Sequence, residues 1–156
     1  IMYIFLFYKT ITQPNAIQYN MNLSNQNIEI NNASKYSINE HEINSYYEKI
    51  NHYMIEHKPY LQSRLTINDL AKQLNIKSYL ISYVINKKTN NNFFYYINNY
   101  RVEETKKMLF DEKYKNYSIE AIGKECGFNS TSSFFEVFKK YTNQTPLQFI
   151  KNNTPI

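Results

Sequence analysis

The stretch SIEAIGKECGFNSTSSFFEVFKK, at residues 118–140, decides the fold of this 156-residue chain. Its first part repeats an earlier stretch, TINDLAKQLNI at residues 66–76, with a constant offset of 52 residues (118 − 66 = 52). Each copy has a hydroxyl residue that can cap a helix, a short amphipathic run, a residue that accepts a positive φ, and an apolar residue before a second helical run. This order is typical of a helix-turn-helix, so the repeat predicts two such units.

Local chemistry supports the same interpretation. Thr66 is a candidate N-cap, and Asp69 three residues later takes the place of the acid in a capping box. Asn75 and Gly127 stand at equivalent turn positions, and Asn and Gly are the residues that accept a left-handed backbone most easily. A small residue, Gly123 in the second copy, lets the second helix of the unit cross the first closely.

The composition narrows the fold class. Hydrophobic residues make up 42% of the chain, which suffices for a core, and only two glycines and no tryptophan occur. Because all-β proteins need many turns, which favour Gly and Pro, this composition favours helices. The formal net charge of +5 fits a nucleic acid or an anionic membrane surface as a partner. The single cysteine, Cys126, is predicted to be a buried small hydrophobe, and its lack of a partner indicates a reducing, cytoplasmic location.

Two segments precede the helical region. The apolar run at residues 1–9, IMYIFLFYK, is too short to span a bilayer. It is interpreted either as the end of a transmembrane helix with Lys9 on the cytoplasmic side, or as the stub of another upstream domain. Residues 10–38 are rich in Asn, Gln, Ser and Thr without a persistent period, which predicts a mostly unstructured polar linker.

A long helix is predicted between the two units. The segment NFFYYINNYRVEETKKMLF has a helical period that predicts a linker helix over about residues 93–110. Its inner side is expected to carry Phe94, Ile97, either Tyr100 or Arg101, Met108 and Leu109. Arg101 could bond a phosphate, but an ion pair with a carboxylate of the first unit is the favoured interpretation.

The second helix of each unit is the candidate DNA-reading element, because in a helix-turn-helix it lies in the major groove. In the second unit this helix is expected to start near Ser130 and to bury Phe134 and Phe138. Its opposite face presents the predicted base contacts Thr131, Ser132, Phe135 and Glu136. Phe135 lies off the buried stripe, and contact with DNA or with neighbouring helices are equal alternatives. Predicted backbone contacts are Ser130, Lys139 and Lys140.

In the first unit the predicted base contacts are Tyr79, Ser82, Tyr83 and Asn86. An asparagine can bond adenine with both amide atoms, and tyrosine can contact a thymine methyl group. The predicted backbone contacts are Lys77, Ser78, Lys87 and Lys88.

From about Tyr46 to Lys151 the chain resembles the DNA-binding domain of AraC/XylS-type transcription regulators. The similarity lies in KPYLQSRLTINDLAKQLNI, in SYVINKKTNNNFFYYINNYRVEETKKML, and above all in SIEAIGKECGFNSTSSFFEVFKKYTNQTPLQFIK. The resemblance implies an all-α fold of about seven helices, with two helix-turn-helix subdomains joined by the linker helix. It also implies two recognition helices that enter successive major grooves about 34 Å apart.

Carried over residue by residue, the family's base-reading positions fall on Tyr79, Ser82 and Tyr83, and on Thr131, Ser132, Phe135 and Glu136. The chain departs from the family where Tyr83 and Glu136 replace a frequent Arg or Gln, and where Ile150 replaces a frequent Arg. Asparagine replaces the usual turn glycines at positions 75, 90 and 143, which preserves the left-handed option.

The resulting domain prediction assigns residues 39–152 to a DNA-binding domain, with the first helix-turn-helix at about 66–88 and the second at about 118–141. Double-stranded DNA is the expected partner. RNA polymerase, a second copy of the chain and a missing upstream sensor or membrane segment are further candidates.

No catalytic set is evident, so the sequence predicts no enzyme, no cofactor and no metal. His41, His52 and His57 are spaced by 11 and 5 residues, whereas metal-binding helices prefer three or four. The alternative function is a helical protein-interaction module that has lost DNA binding. Its best support is Glu136 and the lack of arginine on either reading face.

Overall fold

The computed structural model describes residues 38–154, which contain seven α-helices and no strand. The helices are α1 Glu40–His57, α2 Ile67–Leu74, α3 Ser78–Thr89, α4 Phe93–Met108, α5 Ile119–Glu125, α6 Thr131–Thr142 and α7 Pro146–Asn153, with short 3-10 helices at Pro59–Leu61 and Glu112–Tyr114. The prediction of an all-α fold with seven helices is confirmed. The predictions for the apolar run at 1–9 and for linker residues 10–37 lie outside the described residues.

The described residues pack as two compact units, each built from two segments of the chain. The first unit comprises residues 38–56 and Thr66–Tyr96, and the second comprises His57–Leu65 and residues 97–154. The segment His57–Leu65, called the strap below, therefore lies between α1 and α2 in the sequence but packs with the second unit. Within the described residues, no helix is both long and apolar enough to cross a bilayer.

The first unit contains α1, the pair α2 and α3, and the start of α4. Thr66 begins α2 with a complete capping box, since its hydroxyl accepts from the Asp69 amide while the Asp69 carboxylate accepts from the Thr66 amide. The helix ends at Asn75, whose φ of 51° makes the left-handed turn into α3. Its buried apolar side chains come from these helices, from the turn before α3 and from the start of α4: Ile43, Tyr47, Ile50, Met54, Leu70, Leu74, Ile76, Ile81, Val84, Ile85 and Tyr96.

The second unit has a core of aromatic and aliphatic side chains supplied by α4, α5, α6 and the turn before α6. Its buried members are Val102, Met108, Ile122, Cys126, Phe128, Phe134, Val137 and Phe138. Gly123 allows α5 and α6 to approach, because a Cβ there would lie 2.6 Å from two ring carbons of Phe134. The expected close crossing is therefore observed in this unit.

The linker helix differs from expectation at its first turn. Ile97, Tyr100, Arg101 and Met108 are buried, so both alternatives at 100 and 101 face inward. Phe94, however, is 59% exposed, and its prediction as an inner residue is wrong. Phe94 is the second residue of α4. The helical period of apolar residues extends to this first turn, but other elements cover the helix only further along.

The strap is held by a buried arginine. The Arg101 guanidinium donates from Nε to the carbonyl of Tyr60 and from Nη2 to the carbonyl of Gln62, both at 2.8 Å, and it lies 5.8 Å from the Phe128 ring centroid. Burial lowers the pKa of Arg101 from its ordinary value. The expected ion pair with a carboxylate of the first unit is wrong, because backbone carbonyls of the second unit receive these hydrogen bonds.

Two further contacts fix the strap. The Lys58 ammonium lies 2.6 Å from the Glu104 carboxylate, and the Tyr60 hydroxyl donates to the other oxygen of that carboxylate at 3.3 Å. The rings of Tyr60 and Tyr100 stack with centroids 5.3 Å apart. The strap therefore forms a fixed part of the second unit.

Candidate nucleic-acid interface

The second helix of the second helix-turn-helix, α6, presents a short polar face at its start. Ser130 is the N-cap, and its hydroxyl accepts from the Ser133 amide at 3.2 Å. Thr131 and Ser132 follow as exposed residues, and Glu136 is exposed one turn later. Three of the four predicted base-contacting side chains of this unit thus share an accessible surface.

Phe135 belongs partly to that surface and partly to the core. It is half-buried and packs against the core of the second unit, with its ring centroid 5.1 Å from that of Phe134. This ring contact lies within α6 itself, so contact with DNA and contact with neighbouring helices both stay predictions for Phe135.

The two lysines near the end of α6 differ in accessibility. Lys139 is exposed and Lys140 is half-buried. Both lie in the last turns of the helix, where their charge also complements the carbonyl end of the helix dipole. Their stabilising effect on α6 is thus independent of any contact with DNA.

The second helix of the first helix-turn-helix, α3, is more covered on its predicted reading face. Asn86 is exposed, whereas Tyr79, Ser82 and Tyr83 are half-buried. At the N-cap the Lys77 ammonium lies 5.9 Å from the Tyr79 ring centroid, close enough for a cation–π contact. Asn86 therefore offers the most accessible hydrogen-bonding group of the four.

The remaining backbone-contact candidates of α3 are Ser78, Lys87 and Lys88. Ser78 is half-buried and Lys87 is exposed. Lys88 is paired with Glu40 of α1, at 2.8 Å between Nζ and Oε1, and its side chain is only 20% exposed. The hydrogen bond and charge of Lys88 lower the pKa of Glu40. The ammonium is thus already neutralised on the α1 side of the helix.

The turn residues adopt the backbone that the sequence predicts. Asn75, Asn90 and Asn143 have φ values of 51°, 56° and 58°, each at the end of a helix. Gly127 has φ 86° in the turn before α6, and a Cβ there would lie 2.4 Å from the carbonyl oxygen of Tyr60. The glycine is therefore required both by its dihedral angle and by the close approach of the strap.

A cleft that the sequence did not predict lies beside the start of α6. It has a volume of about 320 Å³, and the residues around it include Ser63 of the strap, Glu120 and Lys124 of α5, and Asn129, Ser130 and Thr131. A sequence signal for Lys124 did exist, because it occupies the same repeat position as Lys72 (124 − 72 = 52). Ser63 had no such signal, since its place in the second unit arises from tertiary packing.

Nothing in the described residues resembles a metal centre. Across residues 38–154, no three His, Cys, Asp or Glu side chains come together in a way that could hold a metal ion. Cys126 is fully buried, and burial raises the pKa of its thiol to about 11. The thiol is therefore protonated at neutral pH and behaves as a core residue.

Comparison with known families gives a match over just over half of the chain. A family model described as a helix-turn-helix domain matches residues 70–152, which is 83 of 156 residues (152 − 70 + 1 = 83). The Msm operon regulatory protein of Streptococcus mutans is 32% identical over 94 residues, and an uncharacterized HTH-type transcriptional regulator in the cgkA 5′ region of Pseudoalteromonas carrageenovora is 34% identical over 86 residues. These alignments cover 58% and 54% of this chain, but only 33% and 48% of the relatives. The chain thus spans less than half the length of these curated relatives.

Solved structures share the fold. The C-terminal domain of the two-component response regulator yesN from Fusobacterium nucleatum is 28% identical with a TM-score of 0.55, and the match covers 67% of this chain and 97% of that domain. The C-terminal domain of AraT, a response regulator from Geobacillus stearothermophilus, is 21% identical with a TM-score of 0.58, and the match covers 70% and 85% of the two chains. A Listeria innocua protein of unknown function has the same TM-score at 22% identity, covering 69% and 96%.

Proposed function

The chain belongs to the AraC-type family of helix-turn-helix domains, and on that ground we propose that it is a sequence-specific DNA-binding transcription regulator of bacterial type. The observation that carries the proposal is the pair of helix-turn-helix units, α2–α3 and α5–α6, whose second helices both present exposed polar side chains. A helix of this kind reads base edges from the major groove. Two of them would read two adjacent groove segments, about one helical turn apart.

The proposed base contacts divide between the two helices. On α3, Asn86 would bond an adenine, and Tyr79, Ser82 and Tyr83 would make apolar and hydroxyl contacts. On α6, Thr131 and Ser132 would bond bases or phosphates, Phe135 would contact a thymine methyl group, and Glu136 would accept from a cytosine amino group. The exposure of Asn86, Thr131, Ser132 and Glu136 supports this assignment.

Affinity would come mainly from cations on the DNA backbone. The chain has a formal net charge of +5, and the proposed phosphate contacts are Lys77, Ser78, Lys87, Lys88, Ser130, Lys139 and Lys140. Each cation that neutralises a phosphate releases counterions, so binding should weaken steeply with salt. Such a regulator would act in the cytoplasm, with RNA polymerase as a further partner and a homodimer as the form that binds paired sites.

A second candidate function rests on the charge of the second reading face. Glu136 is exposed on α6 and would repel phosphate, and neither reading face carries an arginine. A helical module that binds another protein with the same scaffold would be consistent with both facts. This candidate predicts weak DNA binding even at low salt.

Selection of bound sequences from a random DNA pool, with the 156-residue chain at two salt concentrations, tests the proposal. We expect a motif of two half-sites whose centres lie about 10 base pairs apart. Asn86→Ala and Glu136→Gln should each change the preferred bases in one half only, and Asn116→Ala, an exposed change outside α3 and α6, should change neither. Absence of any enriched motif, together with weak binding at low salt, would favour the protein-interaction module.

A further inference from the structure

The strap brings a distant part of the sequence to the start of the second recognition helix. Ser63 of the strap lines the same cleft as Asn129 and Thr131, although more than 60 residues separate them in the chain. The aromatic rings of Phe128 and Phe134 also line the cleft, and both are buried. The cleft thus combines an apolar floor with polar groups. It lies beside the residues proposed to contact the edges of DNA bases.

The wall formed by the strap is held in place by buried contacts. Arg101 bonds the carbonyls of Tyr60 and Gln62, and Gln62 is the residue directly before Ser63. On the other side, Gly127 approaches the Tyr60 carbonyl so closely that no Cβ fits between them. These contacts fix the backbone directly before Ser63, and the Leu65 amide donates to the Gln62 carbonyl at 3.2 Å across it. Ser63 therefore keeps its place relative to α5 and α6.

The lining of the cleft includes a cation that an anion can reach. Lys124 is exposed, and within residues 38–154 no hydrogen bond or ion pair engages its ammonium. Arg64, which follows Ser63, is also exposed. Glu120 lines the cleft one turn before Lys124 and offsets one of these charges. Among the lining residues, Lys124 and Glu120 balance in charge. The availability of the cleft to an anion therefore rests on the exposed, unengaged Lys124 ammonium, with Arg64 next to Ser63 in the chain as a further exposed cation.

We propose that this cleft holds a phosphate of the DNA backbone, with Lys124 on one wall and the Ser63 hydroxyl on the other. The inference rests on the proposed function, because a backbone strand runs beside the groove that α6 would enter. A phosphate diester offers oxygen acceptors to both the ammonium and the hydroxyl. The strap would then belong to the DNA-binding surface of the second unit, although it precedes the first helix-turn-helix in the sequence.

Salt-dependent binding of the 156-residue chain to its selected DNA tests the proposal. Loss of one phosphate contact should lower the magnitude of the slope of log affinity against log salt by about 0.9. Lys124→Gln should therefore bind DNA more weakly than the unchanged chain at low salt. The ratio of the two affinities should shrink by about 3.5-fold between about 50 mM and about 200 mM salt. Glu120→Gln should act in the opposite sense and strengthen binding. Ser63→Glu should weaken binding, because it places a second carboxylate in the cleft.

The matched controls come from an exposed ion pair of the same unit. Lys115 and Glu112 lie 3.1 Å apart with side chains 64% and 86% exposed, and neither lines the cleft. Lys115→Gln and Glu112→Gln repeat the two charge changes at a different surface and should leave the slope unchanged. Thermal unfolding of each variant distinguishes a lost contact from a lost fold.

Two results would overturn the inference: equal slopes for Lys124→Gln and Lys115→Gln, or weaker binding of Glu120→Gln.

Phosphate ethylation interference gives an independent measurement. It should show one sensitive phosphate next to the second half-site that loses its effect in Lys124→Gln. If the unchanged chain itself shows no salt-dependent DNA binding, the proposed function is wrong. That result is obtained before any variant is compared, so it is distinguished from a failure of the cleft inference alone.

Discussion

Replacement of Arg101 by methionine is expected to lower the free energy of unfolding by about 3 kcal/mol. The change keeps an unbranched stem in the core but removes two hydrogen bonds of 2.8 Å, to the carbonyls of Tyr60 and Gln62. A hydrogen bond from a charged donor contributes about 1.5–3 kcal/mol, so the two together contribute about 3–6 kcal/mol. Removal of the guanidinium also relieves the cost of burying it, which is the cause of its lowered pKa.

Two structural details bear on the estimate, of which the first lowers the cost toward the lower end of that range and the second keeps it from falling below that end. The Gln62 carbonyl is only partly buried, so water can replace the lost donor there. The Tyr60 carbonyl is buried and would lose its Arg101 donor without a substitute. Arg101→Lys should cost less than Arg101→Met, because an ammonium on a shorter stem can still serve one of the two carbonyls.

Urea unfolding followed by circular dichroism measures the free energy, and amide hydrogen exchange locates the effect. The amides of Leu61 and Gln62 bond within the strap, to the carbonyls of Lys58 and Pro59, and should exchange faster in Arg101→Met. A variant as stable as the unchanged chain would refute the reasoning. So would a destabilised variant whose strap amides keep their protection, because the cost would then arise elsewhere.

Gly127→Ala should lower the free energy of unfolding, measured by thermal unfolding, by at least about 2 kcal/mol, because φ is 86° and the added Cβ would meet the Tyr60 carbonyl. Asn143→Gly, at φ 58°, should not destabilise the chain. Glu40→Gln should release Lys88 and so raise DNA affinity at low salt by up to about fivefold. Glu42→Gln should have no effect, and Glu40→Gln should have none in a Lys88→Gln background. Equal effects of the two glutamate changes would contradict this. Since the pKa of the Cys126 thiol is raised from 9.0 to about 11, the folded state holds a proton that the unfolded state loses, and stability should fall as pH rises from 9 to 11. Denaturant titration across that range should show a smaller fall for Cys126→Ala, whereas an unchanged fall would exclude the thiol as its cause.

Features that depend on local rules could be predicted from the sequence. The capping box at Thr66 and Asp69 follows from the spacing of two side chains within one helical turn. The left-handed turn at Asn75 follows from the residue type and its place after an amphipathic run. The close packing at Gly123 follows from the absence of a side chain at a crossing point. Each of these needs only a few consecutive residues to be specified.

Features that depend on neighbours distant in the sequence could not be predicted. The helical period gives the direction of Phe94 but does not tell whether another element reaches the first turn of α4, and there the ring is 59% exposed. The partners of Arg101 are backbone carbonyls about 40 residues earlier, and carbonyls carry no sequence signal. The predicted reading face of α3 was ambiguous for a related reason, because its aromatic residues can face either the core or the solvent. Only the folded structure shows that Asn86 is exposed while Tyr79 and Tyr83 are half-buried.

The strap makes the two halves of this fold inseparable as chain fragments, despite the internal sequence repeat. A fragment that begins at residue 97 would contain α5, α6 and α7 but would lack His57–Leu65, so Arg101 and Gly127 would lose the backbone that they face. A chimera that exchanges only the second half for that of a relative would keep a strap backbone but would lose the matched side-chain contacts of Lys58 with Glu104 and of Tyr60 with Tyr100, so both segments should be carried across. The repeat is a duplicated sequence pattern, but the second compact unit is built from two separate segments of the chain. Recombination with a single junction near residue 97 should therefore yield poorly folded products.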